Sequence, residues 1–168
     1  MAAPAPATAS VDAFIGLGSN LGDRTAEIDG ACAEIAALPA TALVARSSLY
    51  ASAPVDAPGG EYLNAVARVA TSLAPLELLR ALQAIETRHG RRRPFARAPR
   101  TLDLDLLLYA DLVLASDELS LPHPRLHERA FVLAPLAEIA SQLVVPGRGA
   151  VAILRSRVAA QAVAKLGR

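Results

Sequence analysis

The chain has 168 residues, 53% of them hydrophobic and 20% charged, with a formal net charge of +1. That length supports one ordinary core and leaves too little for two, and no charge-free segment is long enough to span a bilayer. The near-balanced charge excludes a general polyanion binder, so any anion site must be a local concentration of charge.

Residues 1–10 combine proline with small residues and read as a disordered leader, leaving 11–168 as a single domain. Val11–Leu17 is an apolar run closed by Gly16, Gly18 and Gly22, which predicts a buried strand entering a tight loop. Between Thr25 and Leu38 the apolar positions Ile28, Ala31, Cys32, Ile35 and Leu38 recur at helical spacing, and Pro39 ends the run. Cys32 is the single cysteine and reads as a buried, inert thiol of a cytoplasmic protein. Thr41–Tyr50 and Tyr62–Ser72 read as two strands joined by a long, proline- and glycine-rich functional loop. A second amphipathic helix spans Ala74–His89, with Pro75 in its first turn and Gly90 at its end.

A strand is expected over Leu102–Tyr109 and a small hairpin over Asp111–Leu121. Pro122-His123-Pro124 then opens a loop and short helical turn to Glu128, followed by helices over Phe131–Ala140 and Val151–Leu166. The order strand, helix, strand, strand, helix, strand is that of an α+β ferredoxin-like βαββαβ core. The C-terminal additions complete a three-layer α/β/α sandwich.

The chemistry concentrates in Arg91-Arg92-Arg93-Pro94-Phe95-Ala96-Arg97-Ala98-Pro99-Arg100-Thr101-Leu102-Asp103-Leu104-Asp105. On a strand, residues i and i+2 share a face, so Asp103 and Asp105 offer two carboxylates to one place while Leu104 and Leu106 face the core. A hard divalent cation takes such oxygens. The guanidinium forks of Arg91, Arg93 and Arg100 suit phosphate oxygens. Lys165 is the only lysine, which rules out a Walker A loop and leaves phosphate binding to arginine. The bland alternative is a solvated basic loop beside strand-edge acids.

Other motifs leave alternatives open. Gly16-Leu17-Gly18-Ser19-Asn20-Leu21-Gly22 lacks dinucleotide-fingerprint spacing and is either a structural turn or a loop shaping a substrate wall. His123 is either a capped surface histidine or a phosphate contact. Tyr62, Asn64 and Phe131 can be core-serving residues at a strand edge. His89, His123 and His127 do not make a zinc site.

Taken together, Gly16 to Gly22, Ser47-Ser48-Leu49-Tyr50, Tyr62-Leu63-Asn64-Ala65, Gln83-x-x-Glu86 with Gly90-Arg91, Pro99 to Asp105, and Pro122-His123 through Arg129-x-Phe131 are quite specific. The chain resembles the 6-hydroxymethyl-7,8-dihydropterin pyrophosphokinase family over nearly its whole length after the leader. The resemblance implies a ferredoxin-like fold, ATP as donor, AMP as product, two magnesium ions (Mg2+) and transfer of pyrophosphate to a pterin alcohol in folate biosynthesis. It implies Asp103 and Asp105 as metal ligands, with Arg91 and Arg100 acting on the phosphates as catalytic groups. ATP contacts would come from Gln83, Glu86, Arg91, Arg93, Arg100, Leu106, Ser120, His123 and Arg129. Pterin contacts would come from Ser52, Val55, Tyr62, Asn64 and Phe131. Arg97 stands where the family often carries tryptophan, Glu118 where some members have arginine, and Pro124 where some have tyrosine.

The resulting expectation is a cytoplasmic, monomeric enzyme acting on small molecules, with neither nucleic acid nor membrane as partner. Non-catalytic rivals of similar topology are a ligand-sensing domain, which needs no metal at Asp103 and Asp105, and an RNA-binding module. The latter would want interleaved aromatics that Tyr62–Val69 lacks.

Overall fold

A computed structural model describes residues 9–53, 60–90 and 101–166. Strand β1 (Val11–Ser19) lies at the centre of the main sheet, paired antiparallel with β4 (Tyr62–Thr71) on one side and β5 (Asp103–Tyr109) on the other. Two short strands, β2 (Thr41–Arg46) and β3 (Tyr50–Ser52), share the far edge of β4. Helix α1 (Arg24–Ala36) connects β1 to β2, and α2 (Pro75–Arg88) connects β4 to β5. Counting β2 and β3 as one interrupted strand, this is the predicted ferredoxin-like order.

The alternation of β1, β4 and β5 decides the layers. Ile15, Leu17, Leu63, Ala65, Leu104 and Leu106 point to one face and bury with Ile28, Cys32 and Ile35 of α1 and Leu78, Leu82 and Ile85 of α2. Phe14, Val66, Leu107 and Leu108 point to the other, under α3 (Ala130–Ala140) and α4 (Val151–Arg157). A fully buried Leu or Ile contributes about 1.5–3 kcal/mol, so these two seams dominate the stability and give the expected three layers. Leu107 lies where the β1–β5 register shifts, between the Phe14–Leu108 and Ile15–Leu106 pairs. Its carbonyl accepts the His123 N–H at 2.8 Å, tying the post-hairpin loop to β5.

Four expectations are corrected. Strand β1 does not stop at its glycines. It runs to Ser19 because Gly16 and Gly18 pair on both sides, with Val66 and Asp105 and with Asn64 and Asp103, and only Gly22 takes a left-handed φ, of 73°. The Thr41–Tyr50 run breaks at Ser47, whose N–H donates to the Val66 carbonyl while its Oγ accepts the Val66 N–H. Glu138 of α3 then holds Ser48 through its N–H and hydroxyl, and accepts the Tyr50 hydroxyl at 2.8 Å. The hairpin β6 (Leu114–Ala115) and β7 (Ser120–Leu121) is as expected, but β8 (Val144–Val145) and β9 (Gly149–Ala150) form a further one before α4. Finally, the last helix ends at Arg157 and not near Leu166. Ala164–Lys165 become β10 on the open edge of β3, where unpaired backbone groups invite a strand.

Two polar contacts fix α2, one buried and one half-buried. Glu86, 2% exposed, accepts the Leu104 N–H at 2.9 Å, satisfying a donor on the outer edge of β5. Glu86→Leu is expected to destabilise the protein by roughly 1–3 kcal/mol, the cost of a stranded buried donor, and Glu86→Gln by less. Urea unfolding reads both, and equal losses would show that the acceptor is not what matters.

His89 lies between Glu27 and Glu34 of α1, bonded to one through each ring nitrogen. The ring packs on Gly30, where a Cβ would stand 3.3 Å from His89 Cε1. Burial lowers the His89 pKa, but hydrogen bonds to the two glutamates and their charge outweigh it, and the pKa stands above 6.5. Protonated His89 therefore stabilises the fold below the unfolded-state pKa, and that contribution is lost as pH rises through the raised folded-state value. The Tm gap between the parent protein and His89→Gln should be largest below about pH 6.5 and shrink as pH rises through the raised folded-state pKa. A gap that widened with pH would contradict this assignment.

Candidate active site

At the N-terminal start of α3 the sheet is left uncovered, and there it floors a cavity of about 780 Å³. The floor follows from the register. Asn64, Gly18 and Asp103 lie in one row across β4, β1 and β5, and Val66, Gly16 and Asp105 in the next. Neighbouring strands are about 4.8 Å apart, so the outer members of a row are separated by about 10 Å. Glycine leaves the centre of the first row without a side chain, whereas in the second Leu107 packs over Gly16, 3.5 Å from where a Cβ would stand. A Cβ at Gly18 would stand 3.5 Å from Asn64 Oδ1 and 3.7 Å from Tyr62 Cδ1, ordinary contact, and anything larger would project into the cavity.

Around this floor stand Ser52 at the end of β3, Ala53 just after it, Tyr62 of β4, and His123, Arg125, Glu128 and Arg129 of the segment entering α3. Phe131 and Val132 of α3 and Gln161 and Ala162 of the tail complete the wall. Asn64 is 5% exposed, and its Nδ2 donates to the Tyr50 carbonyl at 3.3 Å and Ser52 Oγ at 2.8 Å. With the amide donors committed, the group it turns toward Gly18 is an acceptor. The Arg129 guanidinium stacks 5.5 Å over the Phe131 ring, a cation–π arrangement.

Burial and the neighbouring Arg129 push the His123 pKa down to about 4, with Asp103 opposing. At neutral pH the imidazole is uncharged. Its Nδ1 accepts the Arg125 N–H at 3.2 Å, so the ring proton sits on Nε2 as a donor. Burial likewise lowers the Arg129 pKa, while Asp105 and Asp103 act against that. Acids and bases thus share one compartment.

Of the expected site residues, the cavity collects Ser52, Tyr62, Asn64, Asp103, Asp105, His123, Arg129 and Phe131. Four expected ATP contacts lie elsewhere. Gln83 is exposed on α2, Glu86 is buried beside β5, Ser120 is on β7, and the Leu106 side chain is core, so a ligand can meet Leu106 only through its main chain. Val55, Arg91, Arg93, Arg97 and Arg100 lie outside the described residues. Glu118 pairs with Arg80 at 3.1 Å. Sequence reading missed Arg125, Glu128 and Gln161. The first two carry a faint signal, an Arg and Glu spaced three apart and paired at 3.3 Å, and Gln161 carries none. Among the described residues no group of three or more His, Cys, Asp or Glu could hold a metal ion. Asp103 and Asp105 nevertheless suit magnesium, which is commonly held by one or two carboxylates and completed by substrate phosphates and water.

A ferredoxin-like sandwich with an aspartate pair at one end of an aromatic-walled cavity is the frame of a transferase for small molecules. The sequence profile of 7,8-dihydro-6-hydroxymethylpterin-pyrophosphokinase (HPPK) matches residues 14–141. The chain is 45% identical over 139 residues to the 2-amino-4-hydroxy-6-hydroxymethyldihydropteridine pyrophosphokinase of Haemophilus influenzae, covering 81% of this chain and 86% of that one. It is 46% identical over 136 residues to the protein of the same name from Pseudomonas aeruginosa, covering 79% and 83%. A crystal structure of wild-type Plasmodium falciparum HPPK-DHPS with pterin and p-hydroxybenzoate superposes with a TM-score of 0.70 at 14% identity. That match covers 91% of this chain and 44% of the longer one, and at such identity it bears on the fold alone. The chain belongs to the 7,8-dihydro-6-hydroxymethylpterin-pyrophosphokinase family, enzymes of folate biosynthesis. The non-catalytic readings, a ligand sensor or an RNA-binding module, are not favoured.

Proposed function

We propose that this chain transfers pyrophosphate from ATP to the hydroxymethyl group of 6-hydroxymethyl-7,8-dihydropterin and releases AMP. The observation that carries the reading is the row Asn64–Gly18–Asp103. It sets a hydrogen-bond acceptor and a carboxylate on the two strands that flank a glycine, whose missing side chain leaves room for a flat bicyclic ring with a short side arm. Tyr62 and Phe131 supply stacking faces for such a ring. Asn64 Oδ1 would read a ring N–H, and Ser52 and Val55, the latter outside the described residues, would supply the remaining pterin contacts.

Asp103 and Asp105 would hold two magnesium ions, which when bound supply charge stabilisation on the phosphate oxygens. The hydroxyl oxygen attacks the β-phosphorus in line, the bond from that phosphorus to the α-phosphate bridging oxygen breaks, and AMP leaves. Arg91, Arg93, Arg100 and Arg129 place fixed positive charge where negative charge develops. Neutral His123 would donate from Nε2–H to a phosphate oxygen. The hydroxyl proton departs to Asp103 or to water. Gln83, Glu86, Leu106 and Ser120, along α2, β5 and β7, would serve the nucleoside end.

The protein would act as a cytoplasmic monomer on these small molecules, with neither nucleic acid nor membrane as partner. No helix among the described residues is long and apolar enough to cross a membrane. The deciding assay follows ATP consumption with the pterin present and absent. AMP, not ADP, should appear only with pterin. Pterin-independent AMP, or ADP as product, would remove the proposed reaction.

A further inference from the structure

Arg129 is bracketed by a side chain from the far end of the chain. Gln161 Oε1 accepts the Ala130 N–H at 2.9 Å, and its Nε2 donates to the Glu128 carbonyl at 2.7 Å. One amide thus bonds the main chain on both sides of Arg129, as a neighbouring strand would. Between those two bonds Arg129 is extended, with φ −120° and ψ 110°, at the junction of the 3₁₀ turn Leu126–Glu128 and α3.

The residue in the N-cap position of a helix is usually Ser, Thr, Asp or Asn, because its own oxygen can satisfy a free N–H. Arg129 cannot do this, and α3 has no side-chain cap from it. The position is given to a guanidinium, and the capping is supplied from another element. Gln161 is itself anchored: its N–H donates to the Val158 carbonyl at 3.0 Å, Val158 is in the core, and β10 follows on β3, with the Leu166 N–H donating to the Leu49 carbonyl at 2.9 Å. Gln161 and Ala162 also line the cavity.

We infer that Gln161 is a positioning residue for the transfer reaction, fixing the main chain at Arg129 so that the guanidinium stays over Phe131 and faces the aspartate pair. The inference rests on the reading of Arg129 as a phosphate contact. It explains why the C-terminal tail crosses the cavity after α4 instead of continuing as a helix.

The test uses the full chain, with turnover assays and calorimetric titration with a non-hydrolysable ATP analogue. Loosening of the main chain that aims Arg129 predicts that Gln161→Ala lowers kcat/KM for ATP about tenfold, with a modest fall in Tm from the two lost hydrogen bonds. Gln161→Glu keeps the acceptor for Ala130 and loses the donor to Glu128, and should fall between the parent and Gln161→Ala. Since the effect passes through Arg129, it should vanish when Gln161→Ala is added to Arg129→Ala. Unchanged kcat/KM in Gln161→Ala, or the same tenfold loss in the Arg129→Ala background, overturns the inference. A parent protein that binds no ATP analogue fails the reading of the site and takes this inference with it. A parent that binds, beside a Gln161→Ala variant equal to it, removes the inference alone.

Discussion

Asp103→Ala and Asp105→Ala are each expected to abolish turnover and leave the fold intact. Both carboxylates lie on the cavity side of β5, half-buried, whereas the residues that anchor this strand in the core, Leu104 and Leu106, point the other way. Removing one carboxylate therefore costs little packing. It does remove half of the oxygen donor set that holds the proposed magnesium ions, and such charge stabilisation is worth several kcal/mol, on the order of a 1000-fold or greater loss in rate. With fewer carboxylate oxygens to hold the proposed magnesium that neutralises the triphosphate, the ATP complex should also weaken. Circular dichroism and urea unfolding check the fold, and AMP release at saturating magnesium checks the chemistry. Retained turnover in either variant would take that aspartate out of the metal-binding role.

The second large effect is expected from Gly18→Val, which should eliminate pterin binding with little change in stability. The strand already pairs on both sides at this position, a β-branched residue suits it, and the first added carbon meets its neighbours at ordinary distances. The methyl groups beyond it would occupy the floor between Asn64 and Asp103, where the ring lies in the proposed site. Asn64→Ala makes the complementary test. It leaves the floor open and removes the acceptor, stranding a ring donor in a shielded site at a cost of about 1–3 kcal/mol. Nucleotide affinity should change little in both variants. Titration with pterin and with an ATP analogue separates the outcomes, and a Gly18→Val protein that binds pterin like its parent would place the ring elsewhere.

Local rules carried much of the reading. Period-two alternation in Asp103–Tyr109 assigned Asp103 and Asp105 to one face and Leu104 and Leu106 to the core, and the structure agrees because a strand's side-chain direction is set by its backbone alone. Helical spacing found α1 and α2 to within two residues, since their apolar stripes are continuous and Pro75 marks a start. The family resemblance, built on residues scattered from Gly16 to Phe131, supplied roles that no spacing could.

Other features were decided only when distant segments met. Gly16 and Gly18 read as either a turn or a loop shaping a substrate wall, and pairing with β4 and β5 draws them into a strand instead, one that floors the cavity. The run from Thr41 to Tyr50 has no local breaker strong enough to predict its interruption; Glu138, almost ninety residues later, captures Ser48 and Tyr50 and bends it. The alanine-rich tail is a plausible helix by propensity alone, but the open edge of β3 and the main chain around Arg129 offer it hydrogen bonds that a longer α4 could not make. What the sequence by itself determined was therefore the facing of its side chains and the charge of its site. The tertiary structure decided where the sheet is left bare, because that depends on where α3 begins and on which far segments satisfy the backbone there.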